Sequence, residues 1–279
     1  MAKNIIDAII AIIKNKDFSV QQNKSNSVAQ KGKGLELYIK KAFANGFALS
    51  ESKLQTRFSN VFSYQGGTNN PPDAMIRGGA AIEIKKIEGN SQIQLNSSFP
   101  KQVLLQHDKM ITKECRTAEK WQEKQLIYAI GIVEKSMLKH LFMVYGEDYC
   151  SPESCYRELI DAVKTAVEEA IKATGKQLTA SNELARVNAV DPIERTYMRV
   201  RGMWGMENPW KAFNISIDDS KNFTLHVLIN DNIWNNLSNK SKLLALSKSC
   251  SGLQISDMEI KDPDNPKINK TCKLISFEI

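Results

Sequence analysis

Asp73, Glu83 and Lys85 are the residues whose types and spacing fit one definite piece of chemistry in this chain of 279 residues. They stand in Asn70-Pro71-Pro72-Asp73 and, after a short gap, in Ala81-Ile82-Glu83-Ile84-Lys85. Between the two lies Met75-Ile76-Arg77-Gly78-Gly79-Ala80, which reads as a β-hairpin with a tight Arg-Gly-Gly turn. With Gly78 at the centre of that hairpin, Asp73 lies across from Glu83. Alternation along the second strand sends Ile82 and Ile84 to one face, and Glu83 and Lys85 to the other. Two carboxylates and one ammonium then converge on a patch backed by an apolar face. Carboxylates suit Mg²⁺, a hard cation that keeps several waters and accepts substrate phosphate oxygens. Such an ion lowers the pKa of a bound water and neutralises charge on a scissile phosphate, while Lys85 would orient the water or stabilise the phosphorane. The pattern is degenerate, and Glu and Lys at i and i+2 on an exposed strand ordinarily form a solvated face.

The elements that must position this patch can be read from periodicity. From Lys31 to Phe43, apolar residues fall at Leu35, Tyr38, Ile39, Ala42 and Phe43, which is helical spacing. Glu36 flanks that stripe four residues before Lys40. It either forms a surface ion pair within the helix or brings a third carboxylate over the metal patch; the residues alone leave both open. The polar tract Gln21 to Gln30 reads as a mobile linker, and residues 61–66 as a strand entering the hairpin. A helical stretch over Leu105 to Lys124 precedes two apolar strand runs, Leu126 to Val133 and His140 to Tyr149, of the kind covered on both faces. Ser151 at the N-cap and Pro152 at the first helical position open a long helix to about Lys176. Residues 190–279 mix short strands with a helix over Ile233 to Ser249. The alternation predicts an α/β fold with a central mixed sheet flanked by helices.

The set Pro72-Asp73, Glu83-Ile84-Lys85 and an upstream helical Glu36 resembles the PD-(D/E)xK nuclease superfamily. The longer strings FSYQGGTNNPPDAMIRGGAAIEIKKIE (62–88), LNSSFPK (95–101) and YMRVRGMWGMENP (197–209) resemble the NgoPII family of type II restriction endonucleases, and the likeness runs along nearly the whole chain. The resemblance implies a restriction-endonuclease-like core and Mg²⁺-dependent cleavage of double-stranded DNA at a short palindrome, GGCC. It makes Asp73 and Glu83 the metal ligands, Lys85 the catalytic partner and Glu36 an accessory acid, with no departure from the pattern. The expected organisation is a catalytic core with N-terminal helices over 1–190 and a C-terminal recognition subdomain over 191–279, or one continuous domain. Two alternatives share the motif: a structure-specific repair or junction nuclease, and an inactive DNA-binding module.

Two segments are candidates for contacting DNA. Asn96, Ser97, Ser98 and Lys101 occupy a loop beyond the catalytic strand, where short amides and hydroxyls reach phosphates or base edges; such clusters also make plain N-capping turns. Arg199 and Arg201 share one face of a strand, and Arg makes bidentate contacts to guanine O6 and N7. Gly202 and Gly205 would let the backbone approach the duplex, with Trp204 buried; the bland alternative is an edge strand with two solvated arginines.

Composition is permissive. A net charge of +7 suits a polyanionic partner without requiring one. The apolar run NIIDAIIAIIKNK is short and interrupted by Asp7, so it reads as a packed helix rather than a membrane anchor or leader. Five cysteines without a Cys-x-x-Cys pair read as free thiols of a cytoplasmic protein. Gly32-Lys33-Gly34 lacks the spacing of a phosphate-binding loop, so no ATP requirement is expected. A palindromic site presents two identical halves, which predicts a homodimer on DNA.

Overall fold

The computed structural model describes residues 3–20, 28–67, 70–89, 91–95 and 98–279, with the backbone alone for 28–32. Helix α1 (Ile5–Asn15) opens with a capping box: the Asn4 side chain accepts the Ile6 N–H at 3.0 Å, and Asp7 returns to the Asn4 N–H at 3.1 Å. The acid that interrupts the apolar run is therefore its start signal. Ile5, Ile6, Ile9 and Ile12 are fully buried behind it. Helix α2 (Val28–Ala44) carries Glu36, and α3 (Glu51–Val61) leads directly into β1 (Phe62–Tyr64). The last three residues of the tract expected as a linker, Val28 to Gln30, already belong to α2.

The hairpin that positions Asp73, Glu83 and Lys85 is β2 (Ala74–Ile76) and β3 (Ala81–Ile87). Strand β4 (Ile93–Leu95) and β5 (Val103–Leu105) follow, then a short α4 (Lys113–Thr117). The long hairpin β6 (Glu123–Glu134) and β7 (Met137–Tyr145) runs into the turn of helix α5 (Gly146–Tyr149). Next come α6 (Glu153–Ala173), β8 (Ala185–Val187), β9 (Met198–Val200), β10 (Trp204–Met206) and α7 (Pro209–Ala212). The chain ends in β11 (Thr224–Asn230), α8 (Asp231–Asn236), α9 (Lys240–Ser247), β12 (Leu253–Lys261) and β13 (Asn269–Glu278).

One mixed sheet organises these pieces, in the order β1-β2-β3-β6-β7-β11-β13-β12, with β5 added to the start of β6. The β3/β6 and β7/β11 pairs are parallel and the rest antiparallel. Strands from both sides of residue 190 share this sheet. One face, with Ile82, Ile84, Ala129 and Val227, packs on α1, α2, α3 and α8 through a continuous cluster from Ile5 to Phe277. The other, with Ala81, Tyr128, Phe142 and Leu228, is covered by β4, β5, α4 and the Trp210–Phe213 turn. The α/β architecture with a central mixed sheet and flanking helices is as expected.

Local boundaries differ from expectation in four places. The 105–124 segment is a strand end, a turn and one short helix rather than a continuous helix, because β5 is drawn into pairing with β6. Strand β7 stops at Tyr145, where Gly146 begins a helical turn. Helix α6 starts one residue later than expected, with Pro152 rather than Ser151 at the N-cap. The C-terminal helix divides in two, since Leu237 leaves α8 in extended conformation.

Candidate active site and DNA cleft

Hairpin geometry decides where the acids go. Gly78 adopts a φ of +63° and the Gly79 N–H donates to the Ile76 carbonyl at 2.9 Å, closing the turn. Ala74 pairs with Ile82 and Met75 with Ala81. The Asp73 N–H continues that ladder to the Ile82 carbonyl at 3.0 Å, which sets Asp73 beside Glu83. Gly66 explains how the preceding loop fits: at φ +60°, a Cβ there would sit 2.3 Å from the Asp73 carbonyl oxygen, so only glycine is accommodated. Ile82 and Ile84 enter the helix-covered core, and Glu83 and Lys85 alternate to the opposite face.

Asp73 Oδ2 accepts the Ile84 N–H at 2.6 Å, and Lys85 Nζ lies 2.7 Å from Glu83 Oε1. Burial, then the neighbouring Glu83 charge, pushes the Asp73 carboxyl up to about 8. Burial is also the largest single influence on Lys85 and acts downward, but Glu83, Asp73 and Glu36 together outweigh it and raise the ammonium. Glu36, half-buried on α2, therefore acts on both residues through its charge. Among the described residues no ion pair joins it to Lys40, whose Nζ instead meets the Gln65 carbonyl at 3.3 Å.

The donors suit a hard divalent cation. Two buried carboxylates side by side oppose each other's charge, and Glu83 Oε2 is buried with no hydrogen-bond partner among the described residues. Oxygen donors, one of them unsatisfied, are what Mg²⁺ takes, with water and phosphate completing its shell. No group of three or more His, Cys, Asp or Glu placed to hold a metal occurs among the described residues, so the protein's share would be these two carboxylates.

Several supporting residues were not visible as functional in sequence. Lys124, only 7% exposed, donates to the Gly79 carbonyl at 2.7 Å and pairs with Glu119, which accepts the Gly78 N–H at 2.9 Å. These two lock the turn of the β2–β3 hairpin. In the string Glu119 to Lys124 they look like solvated charges, and only the fold brings them to the turn. Tyr128 stands opposite Glu83 in the β3/β6 register. Its hydroxyl accepts the Lys101 N–H at 2.9 Å and lies 3.2 Å from the Lys101 carbonyl.

The candidate DNA segments come together. Strand β4, just before the 95–101 loop, pairs with β10, just after Arg199 and Arg201. Ser98, Arg199 and Arg201 line one cleft of about 650 Å³, with α6 contributing Arg157 and Ile160. Met110 also lines it, and its carbonyl accepts from the Asn70 side chain at 2.6 Å, tying the cleft to the loop before Asp73. Asn96 and Ser97 lie outside the described residues. Lys101 is 8% exposed, with Nζ 2.9 Å from Asp108 and 4.7 Å from the Phe99 ring centre. It lines the same cleft, but in the free protein this pairing makes it a strut of the loop. Arg199 and Arg201 are exposed and share Glu183 as partner. Gly202 lines the same cleft, and a Cβ there would sit 3.1 Å from Ile160 Cδ1. Trp204 is half-buried, edge-on to Tyr156 at 5.6 Å and to Phe99 at 6.4 Å. No described helix is long and apolar enough to cross a membrane.

Comparison with known proteins places the chain in a family. The model of the NgoPII restriction endonuclease family matches residues 3–261. The chain is 45% identical to the type II restriction enzyme NgoPII of Neisseria gonorrhoeae, over 99% of this chain and 100% of that protein. No solved structure matches it.

Proposed function

Because the chain belongs to the NgoPII restriction endonuclease family, we propose that it hydrolyses double-stranded DNA at the palindrome GGCC, using Mg²⁺ held by Asp73 and Glu83. The observation that carries this reading is Glu83 Oε2, without a hydrogen-bond partner among the described residues, beside buried Asp73 and the Lys85 ammonium. The bound cation supplies a water of lowered pKa and screens the scissile phosphate. Asp73 is fixed for its part by the Ile84 N–H, which leaves its second oxygen for the cation. Lys85 holds a proton close to Glu83, where it can orient a water or meet charge on a non-bridging phosphate oxygen. Glu36 adds negative charge that favours cation binding and keeps Lys85 protonated. Hydrolysis joins the water oxygen to phosphorus and releases one ester oxygen, which takes up a proton.

Recognition is assigned to the cleft, with Ser98, Arg199 and Arg201 as contacts and Asn96 and Ser97 on the adjoining loop. Two chains bind one palindrome as a homodimer, so each strand meets one active site. The protein works in the cytoplasm, where its thiols stay free. The test is digestion of a sequenced plasmid with and without Mg²⁺, followed by run-off sequencing of the ends. Discrete Mg²⁺-dependent cuts at GGCC are expected. Cutting at every sequence would make the protein a non-specific or structure-directed nuclease, and no cutting would leave a DNA-binding module.

A further inference from the structure

The β8–β9 hairpin sets Arg186 directly opposite Arg199. Like charges facing each other weaken a strand pair, and Arg201 brings a third guanidinium to the same place. All three act on one carboxylate, Glu183, whose side chain is only 13% exposed. Arg199 Nε lies 2.8 Å and 2.9 Å from its two oxygens, Arg199 Nη2 lies 2.5 Å from Oε1, and Arg201 Nε lies 3.3 Å from Oε1. Arg186 is turned aside, with its Nε 3.1 Å from Asn188 Oδ1 and its guanidinium over the Tyr197 ring. Glu183 thus occupies the Nε–Nη2 edge of Arg199, not the Nη1–Nη2 edge.

We propose that Glu183 is the positioning residue for base reading: it fixes the Arg199 guanidinium so that its Nη1–Nη2 edge meets a guanine, and it cancels positive charge that would bind phosphates of any sequence. The physical reason is twofold. A guanidinium fork discriminates among bases only when its plane is set, and an arginine already held in place loses less rotamer freedom on binding. Three unopposed arginines would also form a patch whose affinity comes from counterion release and carries no sequence information. The opposed arginines weaken the hairpin locally, a conflict of the kind found at functional positions. The inference rests on the assignment of this cleft to DNA.

Binding of Glu183→Gln, Glu183→Asp, Arg199→Ala and Glu183→Gln/Arg199→Ala to a GGCC duplex and a scrambled duplex, in Ca²⁺ and across a salt series, tests it. Glu183→Gln is expected to bind scrambled DNA several-fold more tightly. Its salt slope should steepen by about 0.9 for each added phosphate contact, and its cognate-to-scrambled ratio should fall about tenfold. Added to Arg199→Ala, it should lower the ratio no further. Glu183→Asp keeps the charge and should keep scrambled binding at the wild-type level while losing cognate affinity. A wild-type ratio and slope in Glu183→Gln, with a lowered ratio in Arg199→Ala, would overturn the role of Glu183 and leave the cleft as the reader. Unchanged ratios in both would overturn the cleft assignment as well, whatever the cleavage assay gives.

Discussion

Lys101 and Asp108 make the sharpest quantitative test, because their pairing decides whether a basic residue of the proposed reading loop contacts DNA or supports the loop. Both are nearly inaccessible, 8% and 6% exposed, and lie 2.9 Å apart. Removing one member of a buried pair leaves an uncompensated charge and costs about 3–5 kcal/mol, whereas replacing both by apolar or neutral groups is close to neutral. Asp108→Asn can still accept the Leu105 N–H that Asp108 now takes at 3.3 Å, so its loss isolates the charge. Lys101→Met additionally gives up the ammonium over Phe99, worth about 0.5–2 kcal/mol. Each single variant should therefore melt roughly 10 °C lower, at about 2–4 °C per kcal/mol for a chain of this size. The double variant should recover most of that loss. Thermal and denaturant unfolding of the four proteins gives the coupling energy directly. DNA binding supplies the second readout: a strut leaves the salt slope alone, while a phosphate contact lowers it by about 0.9. Additive losses below 1 kcal/mol each, together with a reduced slope in Lys101→Met, would refute the strut and restore Lys101 as a DNA contact.

Lys85→Ala and Asp73→Ala should each abolish cleavage; isothermal titration should show weaker metal binding for Asp73→Ala and near-normal DNA binding for Lys85→Ala. Wild-type turnover by Lys85→Ala would remove the lysine from the mechanism. Sedimentation with a short GGCC duplex should give two chains per duplex, and one chain would contradict the dimer. Stability should fall in acid through His226, which is 3% exposed, accepts the Trp210 N–H at 3.2 Å, and is held at about 4 by burial. Because its folded value lies below the ordinary 6.5, the stabilisation is present above pH 6.5 and lost as pH drops toward 4, about 3 kcal/mol in all. Denaturant unfolding at pH 7 and pH 4.5 should show that loss in the wild type and a smaller one in His226→Asn; equal losses would assign the acid sensitivity elsewhere.

What sequence reasoning reached was set by local rules. The hairpin register followed from Gly78 and the alternation of Ile82, Glu83, Ile84 and Lys85, which needs no distant partner. The apolar runs of β6 and β7 gave the centre of the sheet for the same reason. Where a distant element decides, the reading stopped short. The 105–124 segment has helical leanings, but β6 captures residues 103–105 as a strand and the hairpin turn captures Lys124. Lys101 reads in sequence as a DNA contact because nothing beside it announces Asp108 or the Tyr128 hydroxyl. Glu183 gave no signal either, since its meaning lies in the two arginines that return to it sixteen and eighteen residues later.

The same dependence on distant partners explains how cutting and reading can be set in one frame. Glu83 and Tyr128 are neighbours across the parallel β3/β6 ladder, both on the face away from α1–α3. The Tyr128 hydroxyl, wholly buried, grips the backbone of Lys101 at both its N–H and its carbonyl. Gly146 closes against the same backbone, where a Cβ would sit 2.5 Å from the Lys101 carbonyl oxygen. From there the loop passes back through Phe99 to the aromatic contacts with Tyr156 and Trp204, and so to the strand that follows Arg201. These hydrogen bonds and ring contacts form one continuous path from the cleft to the strand that carries Glu83 and Lys85. Under the proposed function, a base held in the cleft would set where a phosphate falls relative to Asp73 and Glu83. On this geometry, loosening the grip at Tyr128 is a fault of alignment, lowering the rate of cutting at the cognate site more than the affinity for it.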